Sequence, residues 1–251
     1  MKKIVRISLI VLIATILAQC SLLVGKNAMH TTYYPGTGEG AALVVLFPTI
    51  GGDGSLYKDY GLIEEIRARR PMVDVVVLDV KPELYLAGEI VKIVRSEVII
   101  PAKDKGYPLT ILVGTSLGGH GAILYATQYP EDVDGVFLFS PFISGPLASM
   151  AIEEAGGLEQ WEDCPFLAWE HSCKVWKALK DYVADRERRA RVFLGYGTED
   201  RFADECRLLG KSLPPENVFT VPGGHNWKTW EQLWIKTWEY LDVARPFQRG
   251  H

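Results

Sequence analysis

The chain has 251 residues and a formal charge of −4, from 27 lysines and arginines against 31 aspartates and glutamates, with 48% hydrophobic and 23% charged residues. That length suffices for one large domain or two small ones, and the composition excludes disorder, a collagen-like repeat and a polytopic membrane protein. The near-balanced charge removes the electrostatic basis for a nucleic-acid partner, and four cysteines with no CxxC pair give no support to a disulfide scaffold, zinc ribbon or thioredoxin-like site.

In chain order, Lys2, Lys3 and Arg6 precede a continuous apolar run over 7–18 with Cys20 just after it, the layout of an export signal within 1–26. Leu17-Ala18-Gln19-Cys20 resembles a bacterial lipoprotein box, which implies acylation at Cys20; Gln19 stands where that family prefers a small residue. Without cleavage, the apolar stretch 7–24 is about the minimum length for a signal anchor. Either outcome places the domain in the bacterial cell envelope, outside the cytoplasm, with the membrane as a partner through the N-terminus. Residues 27–40, rich in Gly, Thr and Tyr, read as a linker or a short edge strand.

From residue 41 onward, short β-branched runs at 43–47, 73–80, 109–113, 135–139, 192–196 and 218–221 read as strands. They are continuously apolar rather than alternating, as strands buried on both faces are, which predicts an α/β fold: a mostly parallel sheet of about six strands with helices on both faces. Helices are expected over 57–69, 84–100, 119–128, 201–211 and 227–243. The connection after the fourth of these strands, about 142–190, is far longer than one crossover needs. It carries Phe142, Trp161, Phe166, Trp169 and Trp176, which either cap a site or fill a satellite core. Cys164 and Cys173 are near enough in sequence to staple a local loop, leaving Cys206 free on a helix; all three being unpaired is the alternative.

Gly114-Thr115-Ser116-Leu117-Gly118 lies directly between the strand 109–113 and the helix 119–128. Glycines flanking a serine at a strand-to-helix turn let the backbone take a strained conformation and lift the hydroxyl clear of the sheet. In this context the stretch from Gly114 to Ala122 resembles the α/β-hydrolase family, in its esterase and lipase branch. The resemblance implies the chain order Ser, acid, His. The histidine is then His225, in Pro222-Gly223-Gly224-His225-Asn226-Trp227 after the last strand, and the acid is Asp200 of Gly197-Thr198-Glu199-Asp200. Glu199 is the rival acid, and a helix N-cap is the other role open to the pair. His120 follows the elbow and His171 falls in the long connection. The implied oxyanion hole uses the N–H of Leu117 and of Ile50, in a loop where Pro48-Thr49 replaces the family's His-Gly; Pro48 has no N–H to donate.

Leu209-Gly210-Lys211-Ser212 does not make a phosphate loop, because Glu205 stands at its first glycine, and no cluster of His and Cys or HExxH points to a metal. The expected activity is therefore a membrane-tethered serine hydrolase, a carboxylesterase or lipase without cofactor or metal, acting on a small-molecule or lipid ester. An acyltransferase on the same residues and a non-catalytic envelope binding or assembly lipoprotein are the alternatives.

Overall fold

The computed structural model describes residues 29–38, 40–51, 54–86, 88–162, 164 and 170–244, so the export segment and Cys20 lie outside the described residues. Seven strands form one sheet: β1 (Met29–Tyr34), β2 (Ala42–Phe47), β3 (Val73–Val80), β4 (Thr110–Thr115), β5 (Gly135–Phe139), β6 (Val192–Gly197) and β7 (Val218–Val221). Their order is β1-β3-β2-β4-β5-β6-β7, parallel throughout except for β1, which runs antiparallel to β3. Every residue of β2, β5 and β6 is buried, as their unbroken apolar runs require. The seventh strand comes from the segment read as linker or edge strand: Met29–Tyr34 pairs residue for residue with β3 from Val80 back to Val75.

Side chains alternate across the strands into two cores. Val45 and Phe47 of β2 join Leu112, Leu138 and Leu194 on one face, while Val44 and Leu46 join Val113, Phe137, Phe139 and Phe193 on the other. The first face is covered by α3 (Pro82–Leu86), α4 (Ile90–Val94), α5 (Ile100–Asp104), α6 (Leu117–Gln128), α7 (Pro146–Glu154), α8 (Glu170–Ala184) and, after α9 (Arg186–Arg189), α10 (Ala203–Gly210). The second is covered by α1 (Ser55–Asp59), α2 (Leu62–Arg69) and α11 (Trp227–Ala244).

Two expected helices are subdivided. The stretch 57–69 breaks at Gly61, whose φ of 71° ends α1 and starts α2, and 84–100 breaks at Gly88, φ 70°. Beyond it α4 passes through a π-helical turn, Arg95–Ile99, into α5; Pro101 has no N–H to offer the carbonyl one turn before it.

The long connection between β5 and β6 packs chiefly as core. Trp161 and Trp176 are buried with α6 and α10 on the first face, and Cys164 and Cys173 form a disulfide with Cα atoms 6.0 Å apart, while Cys206 is a buried free thiol. Phe166 and Trp169 lie outside the described residues.

Asp132 ties α6 to the preceding helices. Its side chain is 2% exposed and accepts from Arg95 Nε at 3.1 Å, from Lys103 Nζ, and from Tyr125 OH at 3.0 Å. Burial alone would raise its pKa, but the hydrogen bonds from Lys103, Tyr125 and Arg95 outweigh it and hold the carboxyl below its ordinary 3.8. A carboxylate with a depressed folded-state pKa contributes stability above its unfolded value and loses it as pH falls through the folded one. Asp132→Asn is therefore expected to cost about 2 kcal/mol at neutral pH. In denaturant titrations the gap from wild type should narrow as pH falls below 3.8 and through the folded-state pKa; a gap independent of pH would contradict the ion-pair account.

Candidate active site

The chain runs from β2 out to β3 and then returns past β2 to β4, so the carboxyl ends of β2 and β4 are where the winding reverses and a crevice opens. Phe47, the last residue of β2, pairs with Gly114 at the end of β4. Ser116 follows, with φ 55° and ψ −119°, a conformation that L-residues rarely adopt. The surrounding backbone holds it there: Ser116 N–H donates to Phe139 O at 3.0 Å, and Ser116 O accepts from Phe142 N–H at 2.9 Å. The turn closes because its glycines leave room. A Cβ on Gly114 would collide with the backbone of Gly118 and Gly119, and one on Gly118 with the carbonyl oxygens of Phe47 and Pro48.

Gly118 is thus where the serine turn and the loop after β2 touch. Gly118→Ala must push these backbones apart and is expected to cost about 3 kcal/mol, lowering Tm by roughly 6–12 °C. Ester turnover should fall at least about a hundredfold, since ångström-scale misplacement is enough for that. Unchanged melting with full activity would contradict the close approach.

Asp200 and His225 arrive on loops after β6 and β7 that are bonded to each other. Thr198 N–H donates to Val221 O at 2.9 Å and Glu199 N–H to Gly223 O at 3.0 Å, and a Cβ on Gly197 would strike Gly223. His225 Nε2 lies 2.8 Å from Ser116 Oγ, and its Nδ1 lies 2.9 Å from both carboxylate oxygens of Asp200. The imidazole stands edge-on to Phe202 and to Trp230, each at 4.9 Å between ring centroids, which limits its rotation. Asp200 is 0% and His225 10% exposed. Burial works to raise the Asp200 pKa; hydrogen bonds from His225 and from Phe202 N–H, at 2.8 Å, prevail and keep it below 3.8. Ser140 Oγ, buried beside it without a well-aligned bond, acts in the same direction. Asp200 holds His225 and accepts from Phe202 N–H in the turn before α10, whose N-cap is Phe202 without a side-chain cap bond. Glu199 is exposed, and its side chain is no partner of the imidazole.

Ile50 lines an open cleft of about 430 Å³ together with Thr49, Tyr60, Ser116, His225 and Trp227, and is 61% exposed. Leu117 is the first residue of α6, where an N–H has no acceptor within the helix. The structure so brings together Ser116, Asp200, His225, Leu117 and Ile50, and leaves Cys20 outside the described residues. His120 is absent from the cleft lining: it is buried, pushed down to about 4 first by desolvation and then by the neighbouring His171, whose Nε2 lies 3.1 Å from its own. None of the described residues between 142 and 190 lines this cleft. A more enclosed cavity of about 300 Å³ sits beneath α11 at the amino ends of β2 and β4, walled by Val44, Ile111, Trp234 and Trp238; its described lining holds no Ser, Cys, His, Asp or Glu, and its one hydroxyl, Thr237, donates to Leu233 O at 2.8 Å.

Three further residues support the site: Tyr57 and Ser140, which the sequence reading does not single out, and Phe142, which it names only among the aromatics of the long connection. Tyr57 OH donates to Phe47 O at 2.7 Å and lies 3.1 Å from Thr115 Oγ1, whose hydroxyl can donate back to it, bracing the two strand ends that bear the site. Ser140, at φ 45°, and Phe142 turn the chain after β5 against the serine. A polar serine followed by proline directly after a five-residue apolar strand is the one hint available for this turn.

A family model described as "Putative esterase" matches residues 42–238. An acetyl esterase of Caldicellulosiruptor saccharolyticus is 21% identical over 175 residues, a stretch covering 62% of each protein, so the chain spans about six-tenths of the length of the curated relative it matches. Among solved structures, an α/β hydrolase from the metagenome of sediments of the Mar Chica lagoon, Morocco, aligns with TM-score 0.56 at 17% identity over 88% of this chain and 97% of its own. A monoacylglycerol lipase of Paleococcus ferrophilus aligns with TM-score 0.55 at 19% identity over 85% and 98%. These similarities place the sheet and its helices in the α/β-hydrolase fold.

Proposed function

The chain belongs to the esterase family, and on that premise we propose that it is a membrane-tethered serine hydrolase that cleaves a carboxylic ester through an acyl-serine intermediate. The observation that carries the reading is the continuous chain of contacts from Ser116 Oγ through His225 to Asp200, at 2.8 and 2.9 Å. Its lengths are those of hydrogen bonds between nucleophile, base and orienting acid.

Ser116 Oγ attacks the ester carbonyl as His225 Nε2 takes its proton, and Asp200 accepts the Nδ1–H, fixing the tautomer and stabilising the imidazolium. The N–H groups of Leu117 and Ile50 receive the oxyanion. The intermediate collapses to an acyl-serine as His225 gives its proton to the departing alcohol oxygen. A water then repeats the sequence, releasing the acid and restoring Ser116. Every proton moves between side chains present here and substrate or water, so the cycle closes without a cofactor.

The tether is the part of this proposal supported only by the N-terminal basic and apolar pattern with Cys20. Among the described residues no helix is long and apolar enough to cross a membrane. The test is a full-length, detergent-solubilised preparation offered a fluorophosphonate and a series of nitrophenyl esters. Labelling with hydrolysis supports the reading, and absence of both favours a binding protein. Ester exchange outrunning hydrolysis when alcohols are added would make it an acyltransferase. Membrane fractionation of wild type and Cys20→Ser, with mass analysis of the N-terminal peptide, separates an acyl anchor from a signal anchor.

A further inference from the structure

The rim of the cleft carries two cations with no ion-pair partner among the described residues. Arg201 and Lys228 line it with Ser116 and His225, and no aspartate or glutamate is among the described lining residues. Both are exposed, and among the described residues neither forms an ion pair. Some cations elsewhere do have partners, Arg69 with Glu65, Lys92 with Glu89, Arg207 with Asp204, and Arg95 and Lys103 with Asp132; what sets Arg201 and Lys228 apart is their place beside Ser116 and His225. The Arg201 guanidinium lies 5.0 Å from the Phe202 ring, the same ring that packs edge-on against His225. Lys228 occupies the first turn of α11, which has no acidic residue, the opposite of the sign a helix amino end favours. Asn226, also on the rim, has its Oδ1 engaged by Thr229 N–H and Oγ1 and caps this helix.

Resting on the serine-hydrolase reading above, we propose that the site selects esters whose leaving alcohol carries a negative charge, with Arg201 and Lys228 as the residues that recognise it. The side of the ester follows from the chemistry. His225 returns its proton to the departing oxygen, so that oxygen must come over the imidazole, and the two cations adjoin the loops that hold this ring: Arg201 directly follows Asp200, and Lys228, in the first turn of α11, is three residues after His225. The bonds made and broken are those of ordinary ester cleavage: Ser116 Oγ bonds to the carbonyl carbon, the ester C–O bond breaks, and the alcohol leaves with its proton from His225 and its anionic group unaltered. A carboxylate, sulfonate or phosphate on the alcohol would serve. Across about 6 Å of water each cation is worth roughly threefold in kcat/KM, and the two together about tenfold.

The experiment uses the full-length protein in neutral detergent and compares kcat/KM for para-acetoxybenzenesulfonate and the neutral para-acetoxybenzenesulfonamide, each divided by its rate with hydroxide. Wild type is expected to prefer the sulfonate about tenfold at low salt, a preference that shrinks severalfold near 0.5 M sodium chloride. Arg201→Gln and Lys228→Gln should each lower the ratio about threefold, and Lys228→Glu further, the ratio cancelling any general loss of activity. A parallel pair, nitrophenyl hemisuccinate and its methyl ester, moves the charge to the acyl side and should show the smaller preference. A wild-type ratio near one, a ratio unmoved by salt and by the substitutions, or a larger preference for acyl-side charge would overturn the proposal while leaving the hydrolase reading intact. Turnover of neither ester, with no fluorophosphonate labelling, would remove that reading and the proposal with it.

Discussion

Ser116→Ala should abolish ester turnover, lowering kcat by about ten-thousandfold to a millionfold, while the protein remains folded with a Tm near that of wild type. The hydroxyl is the one group removed, and its partner in the site is His225 Nε2. No fold-supporting bond is lost, because the serine's structural ties are backbone bonds to Phe139 and Phe142. A methyl in place of the hydroxymethyl relieves crowding at the strained turn without changing φ. The residual rate, from the oxyanion donors and substrate binding, should no longer depend on His225: His225→Ala added to Ser116→Ala should cost little more, because members of one catalytic unit are strongly non-additive. Substantial activity in Ser116→Ala, or a further large loss in the double variant, would place the nucleophile elsewhere.

Asp200→Asn is expected to lower kcat about a thousandfold to ten-thousandfold with little change in KM. An amide can still accept from Phe202 N–H, but its NH2 presents a donor to His225 Nδ1, which favours the tautomer whose Nε2 carries the hydrogen and cannot take the serine proton. Since the Asp200 carboxyl titrates below 3.8, wild type keeps this acid ionised across neutral and mildly acidic pH. Glu199→Gln, altering an exposed side chain, should stay within about twofold of wild type. Full activity in Asp200→Asn alongside an inactive Glu199→Gln would reassign the acid.

What could be read from the sequence was whatever a few adjacent residues decide. Strands buried on both faces show as unbroken apolar runs, and the elbow shows because two glycines beside a serine are a local steric requirement. The resemblance to the α/β-hydrolase family points to His225 and Asp200 through their order and their place after strands, and the fold brings both to Ser116 although 109 residues separate it from His225. What depends on distant neighbours was not legible. Residues 27–40 read equally as a linker or a short edge strand; Met29–Tyr34 is a strand because β3 offers it an edge, which no local residue decides. Tyr57 looks like an ordinary residue of an amphipathic helix; its hydroxyl matters because Phe47 and Thr115 end adjacent strands. The aromatics of the long connection have one composition whether they cap a cleft or fill a core. The burial of Trp161 and Trp176 puts those two in the core.

The most direct test is to trap the covalent intermediate. Full-length protein quenched during turnover of a slowly deacylated nitrophenyl ester, digested and mapped by mass spectrometry, should carry one acyl group, on the peptide containing Ser116, in amount equal to the burst of nitrophenol. Turnover without any adduct, or an acyl group mapped to another residue, would contradict Ser116 as the nucleophile of an acyl-serine mechanism.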